Sequence, residues 1–292
     1  MAVVGAMCAV TVLACTPTES EVTGLPASIR TQHIVWHDCA DADDDAVGVR
    51  LAAVCARCGE FRVRLDYADP AGATLTVAVA RRSADDPDSR LGTLVVETGG
   101  PGPSRDGVSL LLDGPEGGHA GAELGRHYDL IGMDPRFFGA SSPLECGWST
   151  GEYLGLAQSA PAERVDVERA ITVARGLAER CGPWQHLLPH ASTRAMARDL
   201  DLLRTLLGAD SLSYLGWSWG TYLGAVYAQL FGDRVDRMVL DSPIDPDAAG
   251  PDFPRNPAPA DTAALADWAR WAANRTCTWV RPPRPYWPPS RT

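Results

Sequence analysis

The pattern of apolar and polar residues becomes regular at residue 61 and first predicts strands. Residues 61–65 and 75–79 alternate in strand fashion around the turn-forming residues 69–72, so they predict a hairpin. Residues 91–97 form a short apolar run, which is typical of a strand buried on both faces. Residues 128–134 predict a further strand. This part of the chain therefore supplies several strands of one sheet.

The second half of the chain alternates between helical and strand patterns. The predicted elements are a helix within 161–180, a helix at 193–207, a strand at 212–216, a helix at 219–231, a strand at 237–240 and a helical pattern at 263–273. Strands that alternate with helices predict a parallel sheet with crossover helices. We therefore predict an α/β fold with a mostly parallel central sheet. Residues 16–60 are rich in Pro, Asp and Ala and are predicted to be a linker and an irregular N-terminal arm.

Composition excludes one class of partner. The 292 residues carry a formal net charge of −11, and the apolar fraction of 45% is that of an ordinary globular protein. A negative protein repels a phosphate backbone, so no nucleic acid partner is expected.

The N-terminus has the pattern of an export signal. Residues 1–14 are apolar and end in Val12-Leu13-Ala14-Cys15, followed by a polar stretch. This pattern predicts a signal peptide closed by a bacterial lipobox, with a lipid on Cys15 as the only link to a membrane. The run is shorter than the roughly 20 residues that span a bilayer. No Arg or Lys precedes it, so the alternative is an N-terminal helix with an incidental cysteine.

The cysteines favour an oxidising compartment, where disulfides persist. Six of the eight lie after the predicted signal: Cys39, Cys55, Cys58, Cys146, Cys181 and Cys277. We expect Cys39 to pair with Cys55 or Cys58, and Cys146 with Cys181, which leaves two thiols over. The spacing of Cys55 and Cys58 suits a zinc half-site, but no second such pair accompanies it, so no metal site is predicted.

The segment Gly216-Trp217-Ser218-Trp219-Gly220 is the most informative one for chemistry. It lies between a predicted strand and a predicted helix, where a nucleophile can sit on a strained turn that points its side chain outward. The glycines lack β-carbons that would collide where strand and helix approach. The positive end of the following helix would face a developing oxyanion. Ser218 is therefore the predicted nucleophile.

An oxyanion hole needs a second donor from a loop after an earlier strand. Residues 99–102, Gly-Gly-Pro-Gly, follow the apolar run that ends at residue 97. We predict that the backbone N–H groups of Gly100 and Trp219 are the two donors; the alternative for the loop is an ordinary turn. The side chains of Trp217 and Trp219 suit either an apolar substrate pocket or packing beneath the turn.

These motifs together resemble one branch of the α/β hydrolases. They are Thr98-Gly-Gly-Pro-Gly, Asp129-Leu-Ile-Gly-Met-Asp-Pro-Arg136 with Gly139 and Ser141, Gly216-Trp-Ser-Trp-Gly-Thr-Tyr-Leu-Gly224, Tyr227-Ala228 and Arg237-Met-Val-Leu-Asp241. Residues 35–270 are similar in motif order to the tripeptidyl aminopeptidase and proline iminopeptidase-like family, which includes exported and lipid-anchored actinobacterial proteins.

The resemblance implies an exopeptidase, or a related amide or ester hydrolase, with a serine nucleophile and no cofactor. Its substrate would be a peptide or a small ester or amide. Residues 143–192, joined by Cys146 and Cys181, would begin a cap over the site.

The chain departs from the family at the general base, because the family order is Ser, then Asp, then His. All six histidines precede Ser218: His33, His37, His119, His127, His186 and His190. His186 and His190, in the predicted cap, are the alternatives that could swing toward the site. Asp241 is a possible catalytic acid or a structural residue at a strand end, and Asp245 has the same ambiguity.

The segment after Asn274 is crowded with Pro, Arg and Trp and has no periodicity. We hypothesise a frameshift near residue 274 with early termination; the alternative is a natural proline-rich ligand segment. The predicted function is that of a peptidase-like serine hydrolase shortened before its catalytic histidine. The alternative is a non-catalytic surface lipoprotein of the same fold. The strand at 237–240 would then be an exposed edge, which predicts poor solubility.

Overall fold

The computed structural model describes residues 24–40, 45–113, 118–157, 163–248 and 258–273. Contacts divide the chain into two compact units, Met1–Pro243 and Ile244–Thr292. The predicted signal with Cys15, the tail from residue 275 and Cys277 lie outside the described residues. Within the described ranges, no helix combines the length and apolarity that crossing a membrane requires.

The N-terminal arm is more regular than the sequence prediction. It forms α1 (Ala27–Arg30), β1 (His37–Asp38) and α2 (Ala46–Ala53). The prediction of an irregular arm through residue 60 is therefore wrong for these residues. The arm is ordered because it is tied to the core: Ile29 and Leu51 are buried, and a disulfide joins Cys39 to Cys58.

The described residues form one seven-stranded sheet in unit 1. After β1 the strands are β2 (Arg57–Arg64), β3 (Thr74–Arg82), β4 (Gly92–Glu97), β5 (Tyr128–Met133), β6 (Leu212–Trp217) and β7 (Val235–Asp241). Their order across the sheet is β1-β2-β3-β5-β4-β6-β7. The pairs β1·β2, β2·β3 and β3·β5 are antiparallel, whereas β5·β4, β4·β6 and β6·β7 are parallel. The predicted hairpin and the predicted parallel core are both confirmed.

Helices connect the parallel strands. They are α3 (Gly107–Asp113), α4 (Gly118–His127), α5 (Thr150–Ala157), α6 (Arg164–Arg180), α7 (Thr193–Leu206) and α8 (Trp219–Phe231). The N-terminus of α7 is capped by Ser192, whose side chain accepts the Ala195 N–H. In the second unit, α9 (Ala258–Ala273) confirms the helical pattern before the tail.

Two apolar clusters cover the two faces of the sheet. One contains Val95 with residues of α7 and α8, such as Leu200 and Leu223, and the other contains Val96 with residues of α3, such as Val108. Successive residues of a strand point to opposite faces. Strand β4 therefore supplies both clusters, which explains its continuous apolar sequence.

A buried ion pair joins the turn after β5 to α7. Arg136 bonds both carboxylate oxygens of Asp199 at 2.6 and 2.7 Å. Both side chains are 0% exposed. The guanidinium also donates to the carbonyl oxygens of Arg64, Leu65 and His190. With every donor direction used, this pair fixes the turn in which the motif Asp134-Pro135-Arg136 lies.

Candidate active site

Ser218 sits on the tight turn between β6 and α8. Its backbone has φ 52° and ψ −121°, a conformation that favours glycine, and the residue is exposed. Its N–H donates to the Asp241 carbonyl oxygen at 3.1 Å, and its own carbonyl oxygen accepts the Thr221 N–H at 3.0 Å. The stretch is neither a continuous helix nor turned inward. The turn thus holds the hydroxyl at the surface.

The two glycines of the motif are required by contact. A β-carbon at Gly216 would lie 2.6 Å from the Gly220 carbonyl oxygen, and one at Gly220 would lie 2.5 Å from the Glu97 carbonyl oxygen. Both distances are shorter than any real contact of a β-carbon with backbone. The strand and helix can approach this closely only because both positions lack side chains.

Helix α8 begins at Trp219, directly after the serine. The first N–H groups of a helix have no partner within it, and the aligned peptide dipoles make this end partly positive. The Ser218 side chain makes no capping bond to these groups. The end of the helix is therefore available to a negative charge that develops beside the serine.

The glycine loop packs against this turn through Gly99. A β-carbon at Gly99, whose φ is +89°, would lie 2.4 Å from the Trp217 carbonyl oxygen, 2.9 Å from the Trp219 nitrogen and 3.1 Å from the Ser218 β-carbon. Gly100 follows with φ +118°. The contact brings the loop and the Ser218 turn together, as the sequence predicted. The part that Gly99 itself plays was not predicted, although the doubled glycine was the available signal.

Asp134 anchors the far end of the same loop. Its Oδ1 accepts the N–H groups of Ser104 and Arg105, both at 2.8 Å. Its Oδ2 accepts Arg105 Nε at 2.9 Å and the Ala140 N–H at 3.0 Å. Asp134 belongs to a motif quoted above, but no role for it was predicted. Three of its four hydrogen bonds fix the end of the glycine loop to the end of β5, and the fourth fixes the turn that follows.

Glu97 lies beneath the site at the end of β4 and is 0% exposed. Among the described residues, neither of its carboxyl oxygens has a hydrogen-bond partner. Burial raises the pKa of Glu97 well above its usual value; the Ser104 hydroxyl opposes this shift, and the charge of Asp134 adds to it. Burial therefore favours the protonated, uncharged form of this side chain. It too was missed, because a single Glu after an apolar run gives no sequence signal.

Trp217 and Trp219 pack on opposite faces of the sheet. Trp219 contacts the cluster that contains Val95, and Trp217 contacts the cluster that contains Val96. Each is only partly buried. The alternative of packing beneath the turn therefore accounts for both side chains.

Asp241 and Asp245 are the two residues considered for the catalytic acid. Asp241 is exposed; its backbone carbonyl bonds Ser218, while its side chain accepts the Ser242 hydroxyl at 3.2 Å. Asp245 belongs to the second unit, where its carboxylate accepts the Asp247 N–H. In the part of the chain that is described, no hydrogen bond joins a histidine side chain to Ser218.

The cysteines resolve the alternatives left open by sequence. Cys39 pairs with Cys58, one of its two predicted partners, and Cys146 pairs with Cys181 as predicted. Cys55 is free and exposed. Across the described residues there is no group of three His, Cys, Asp or Glu side chains that could hold a metal ion.

The order of strands, the serine turn and the adjoining glycine loop match a known family. The family model described as the alpha/beta hydrolase fold matches residues 92–278. This chain belongs to the α/β-hydrolase fold family. The match begins at β4 and includes the glycine loop, Asp134 and the Ser218 turn.

Curated relatives are similar over most of this chain. A tripeptidyl aminopeptidase from Streptomyces lividans is 37% identical over 73% of this chain and 38% of its own length. The serine protease Hip1 of Mycobacterium tuberculosis is 33% identical over 74% of this chain and 41% of its own. A carboxylesterase B of the same species is 36% identical over 79% and 43%. The chain thus spans less than half the length of these relatives.

Proposed function

We propose that this chain carries the nucleophile of a serine hydrolase that acts on peptides and releases short peptides or amino acids from their N-termini. The single observation that carries the proposal is the exposed Ser218 at φ 52° between β6 and α8. A serine held in this conformation, with the end of a helix beside it, is suited to attack a carbonyl carbon.

In this proposal Ser218 Oγ forms a bond to the carbonyl carbon of the substrate. The carbonyl oxygen becomes negative and is received by the backbone N–H groups of Trp219 and Gly100. The contact of Gly99 with the Ser218 turn supports this assignment, because it brings the glycine loop next to the start of α8. Asp134 supports it further by fixing the other end of the loop.

The proton of the serine must pass to a general base. The order known for this fold puts that base after the nucleophile, and all six histidines of this chain precede Ser218. The proposal therefore assigns the base to none of these six. It leaves the acid open between Asp241 and a later residue. Where that base is absent the serine should react slowly, because the loss of one triad member typically lowers the rate by several orders of magnitude.

The substrate class is drawn from the relatives. Two of the three relatives described above are named as peptidases and one as an esterase. An amide and an ester pass through the same tetrahedral geometry, so a serine site can serve both. We favour a peptide substrate with a free amino terminus because the first relative is named as an aminopeptidase.

The second candidate function is a binding protein of the same fold without catalysis. The observation that favours it is the lack, among the described residues, of any histidine hydrogen-bonded to Ser218. In that case the fold would present the cap segment, residues 143–192, and the glycine loop as a surface for a peptide, with no bond broken.

Labelling with a fluorophosphonate separates the two functions, because the reagent reacts only with an activated serine. We expect slow labelling of the wild-type chain, located at Ser218 by peptide mass spectrometry and lost in Ser218→Ala. Ser242→Ala is the matched control, since Ser242 is also exposed and has a positive φ of 59° at the end of the adjacent strand. If a folded chain does not label at all, the binding function is favoured.

Substrate class is tested with three chromogenic compounds: a tripeptide anilide with a free amino terminus, the same compound with a blocked terminus, and an acyl nitrophenyl ester. The proposed function predicts that the tripeptide anilide with a free terminus is cleaved faster than the blocked one. Cleavage of either anilide should disappear in Ser218→Ala. Equal rates for the two anilides would contradict an aminopeptidase.

We also propose that the protein is exported and lipid-anchored. The disulfides Cys39–Cys58 and Cys146–Cys181 support an oxidising compartment. The lipid would attach to Cys15, which lies outside the described residues. Metabolic labelling with a fatty acid in an actinobacterial host should mark the wild type and not Cys15→Ser, and equal labelling would contradict the anchor.

A further inference from the structure

We propose that Glu97 is a positioning residue for the reaction at Ser218: its buried, unpaired side chain packs beneath the serine turn on the strand that leads into the glycine loop, and a negative charge placed there moves the turn and the loop apart. This inference rests on the proposed function, because the turn and the loop are the parts that would bind the oxyanion.

The position of Glu97 in the sheet places its side chain next to α8. Glu97 ends β4 and lies directly beside Gly216 of β6. Partners in adjacent strands point to the same face, so its side chain points to the face that α8 covers. The β-carbon that Gly220 lacks would lie 3.1 Å from the Glu97 β-carbon. Glu97 is therefore directly under the first turn of α8.

Glu97 is also linked to the glycine loop. Glu97 is followed directly by Thr98, whose N–H donates to Ser104 Oγ at 3.3 Å, and by Gly99, which contacts the Ser218 turn. A displacement of Glu97 thus acts on both halves of the predicted oxyanion hole. It does so through the short backbone segment Thr98-Gly99 on the loop side and through van der Waals contact on the helix side.

The charges around the Glu97 carboxyl do not favour its ionisation. Directly after β5 lies Asp134, whose negative charge opposes a second carboxylate. The cation in this region, Arg105, is bonded to Asp134 at 2.9 Å. On β6, burial and, after it, the charge of Glu97 raise the pKa of Tyr214 well above its usual value. Tyr214 itself donates to the Gly220 carbonyl oxygen at 2.7 Å.

Among the residues that the structure describes, no cation contributes to the pKa of Glu97. An ionised, unpaired carboxylate in a dry interior is strongly unfavourable. The structure can relieve it by drawing Arg105 away from Asp134 or by admitting water between β4 and α8. Either movement loosens the glycine loop or lifts the turn that carries Ser218. A negative charge at this place would also oppose the oxyanion itself.

The test follows the tryptophans on either side of the serine. Tryptophan emission is recorded as pH is raised from 5 to 9, in the wild type and in Glu97→Gln, with far-ultraviolet circular dichroism to follow the fold. The proposal predicts a shift of emission in the wild type, at constant circular dichroism, that Glu97→Gln lacks. Glu97→Met, which also removes the charge, repeats the experiment should the amide variant fail to fold.

Two further variants assign the signal. The shift should be reduced in Trp217→Phe and in Trp219→Phe, which flank Ser218. It should persist in Trp184→Phe, a matched change in the segment 143–192. Identical titrations of the wild type and Glu97→Gln would overturn the proposal. So would a shift that appears only as the circular dichroism is lost, since Glu97 would then act on the whole fold.

Fluorophosphonate labelling distinguishes this inference from the proposed function. Where the chain labels, the rate per accessible Ser218 should fall on the order of tenfold as Glu97 ionises, because one buried charge nearby opposes the oxyanion, and Glu97→Gln should remove this fall. A chain that never labels but shows the predicted emission shift contradicts the hydrolase function, and with it the role of Glu97 in a reaction, while the coupling of Glu97 to the serine turn is retained. A chain that labels with the same pH profile in both forms overturns the positioning role alone.

Discussion

Strands β4 and β7 each contain a run of three apolar residues, 94–96 and 238–240, in very different surroundings. In β4, Val95 and Val96 are 0% exposed, because β5 and β6 flank the strand and an apolar cluster covers each face. In β7, Val239 is 58% exposed, and β6 is the only neighbour that the described residues provide. An apolar run therefore predicts a strand, whereas its burial depends on what lies on each side.

The same contrast separates the interior of the fold from its margin. We use interior for β4, β6 and the residues packed on them, and margin for β7 and residues 143–192, the segment predicted to begin a cap. In α6 only Leu177 is buried, while Val165 and Ile171 are exposed. The chemistry of the proposed site lies where these two regions meet, since Ser218 ends a buried strand and bonds the end of β7.

The largest expected difference concerns two ion pairs. Arg136→Met leaves Asp199 buried without its cation, and the loss of one partner of a buried pair typically costs about 3 to 5 kcal/mol. Arg164→Met removes one partner of the Arg164–Glu168 pair, whose side chains are 93% and 62% exposed, and should cause no measurable change. Urea unfolding of both variants tests the contrast. Equal losses would contradict the division into interior and margin.

The next contrast uses one substitution at two places. Val95→Ala removes two methyl groups from a packed cluster and should lower the free energy of unfolding by about 2 to 3 kcal/mol. Val239→Ala, on β7, should change it by less than about 0.5 kcal/mol. The two midpoints in urea are the measurement. A large loss at Val239 would mean that β7 is covered in solution.

A third contrast depends on pH. The pKa of Glu97 is raised on folding by burial, so the folded chain holds a proton that the unfolded chain releases above its usual pKa of 4.5. Wild-type stability should therefore fall as pH rises above that value, by at most about 1.4 kcal/mol for each pH unit. The free energy of unfolding of Glu97→Gln, relative to that of the wild type, should increase over the same pH range. At pH 4 it should show no such increase. A pH-independent difference would show that Glu97 is not a buried neutral acid.

The smallest effect on stability is expected at the edge of the sheet. Val239→Lys places a charge on an exposed strand. The charge weakens pairing between the edge strands of two copies of the chain and leaves the core unchanged. We predict that the wild type associates as its concentration rises and that the variant does so less, with the same unfolding midpoint. Sedimentation velocity is the measurement, and a wild type that stays monomeric at high concentration would refute the edge as a liability.

Much of the fold was predictable because local pattern and tertiary environment agree. The prediction of a helix at 219–231 coincides with α8, Trp219–Phe231, and the hairpin around residues 69–72 is formed by β2 and β3. The arm was not predicted, because α1 and α2 are short and depend on burial of Ile29 and Leu51 against the rest of the chain. Such long-range packing leaves no periodic signal in segments of four and eight residues.

The site was predictable in part for the same reason. The spacing of Ser218 and its two glycines predicts a tight turn, and the structure places the three residues in a tight turn between β6 and α8. Gly99, Asp134 and Glu97 act through contacts between distant segments, so sequence alone could not assign their roles. The choice of Cys58 over Cys55 as the partner of Cys39 is likewise tertiary: Cys58 is buried in the sheet, whereas Cys55 is exposed.

The most direct test of the central claim measures the strain at Ser218 without any substrate. A non-glycine residue held at φ 52° and ψ −121° costs on the order of 1 to 3 kcal/mol. We predict that Ser218→Gly unfolds with a free energy about 1 kcal/mol higher than Ser218→Ala, because glycine relieves the strain and alanine keeps it. If Ser218→Gly is instead the less stable of the two by about 0.5 to 1 kcal/mol, as glycine is at a relaxed position, the tight turn that presents the nucleophile does not exist.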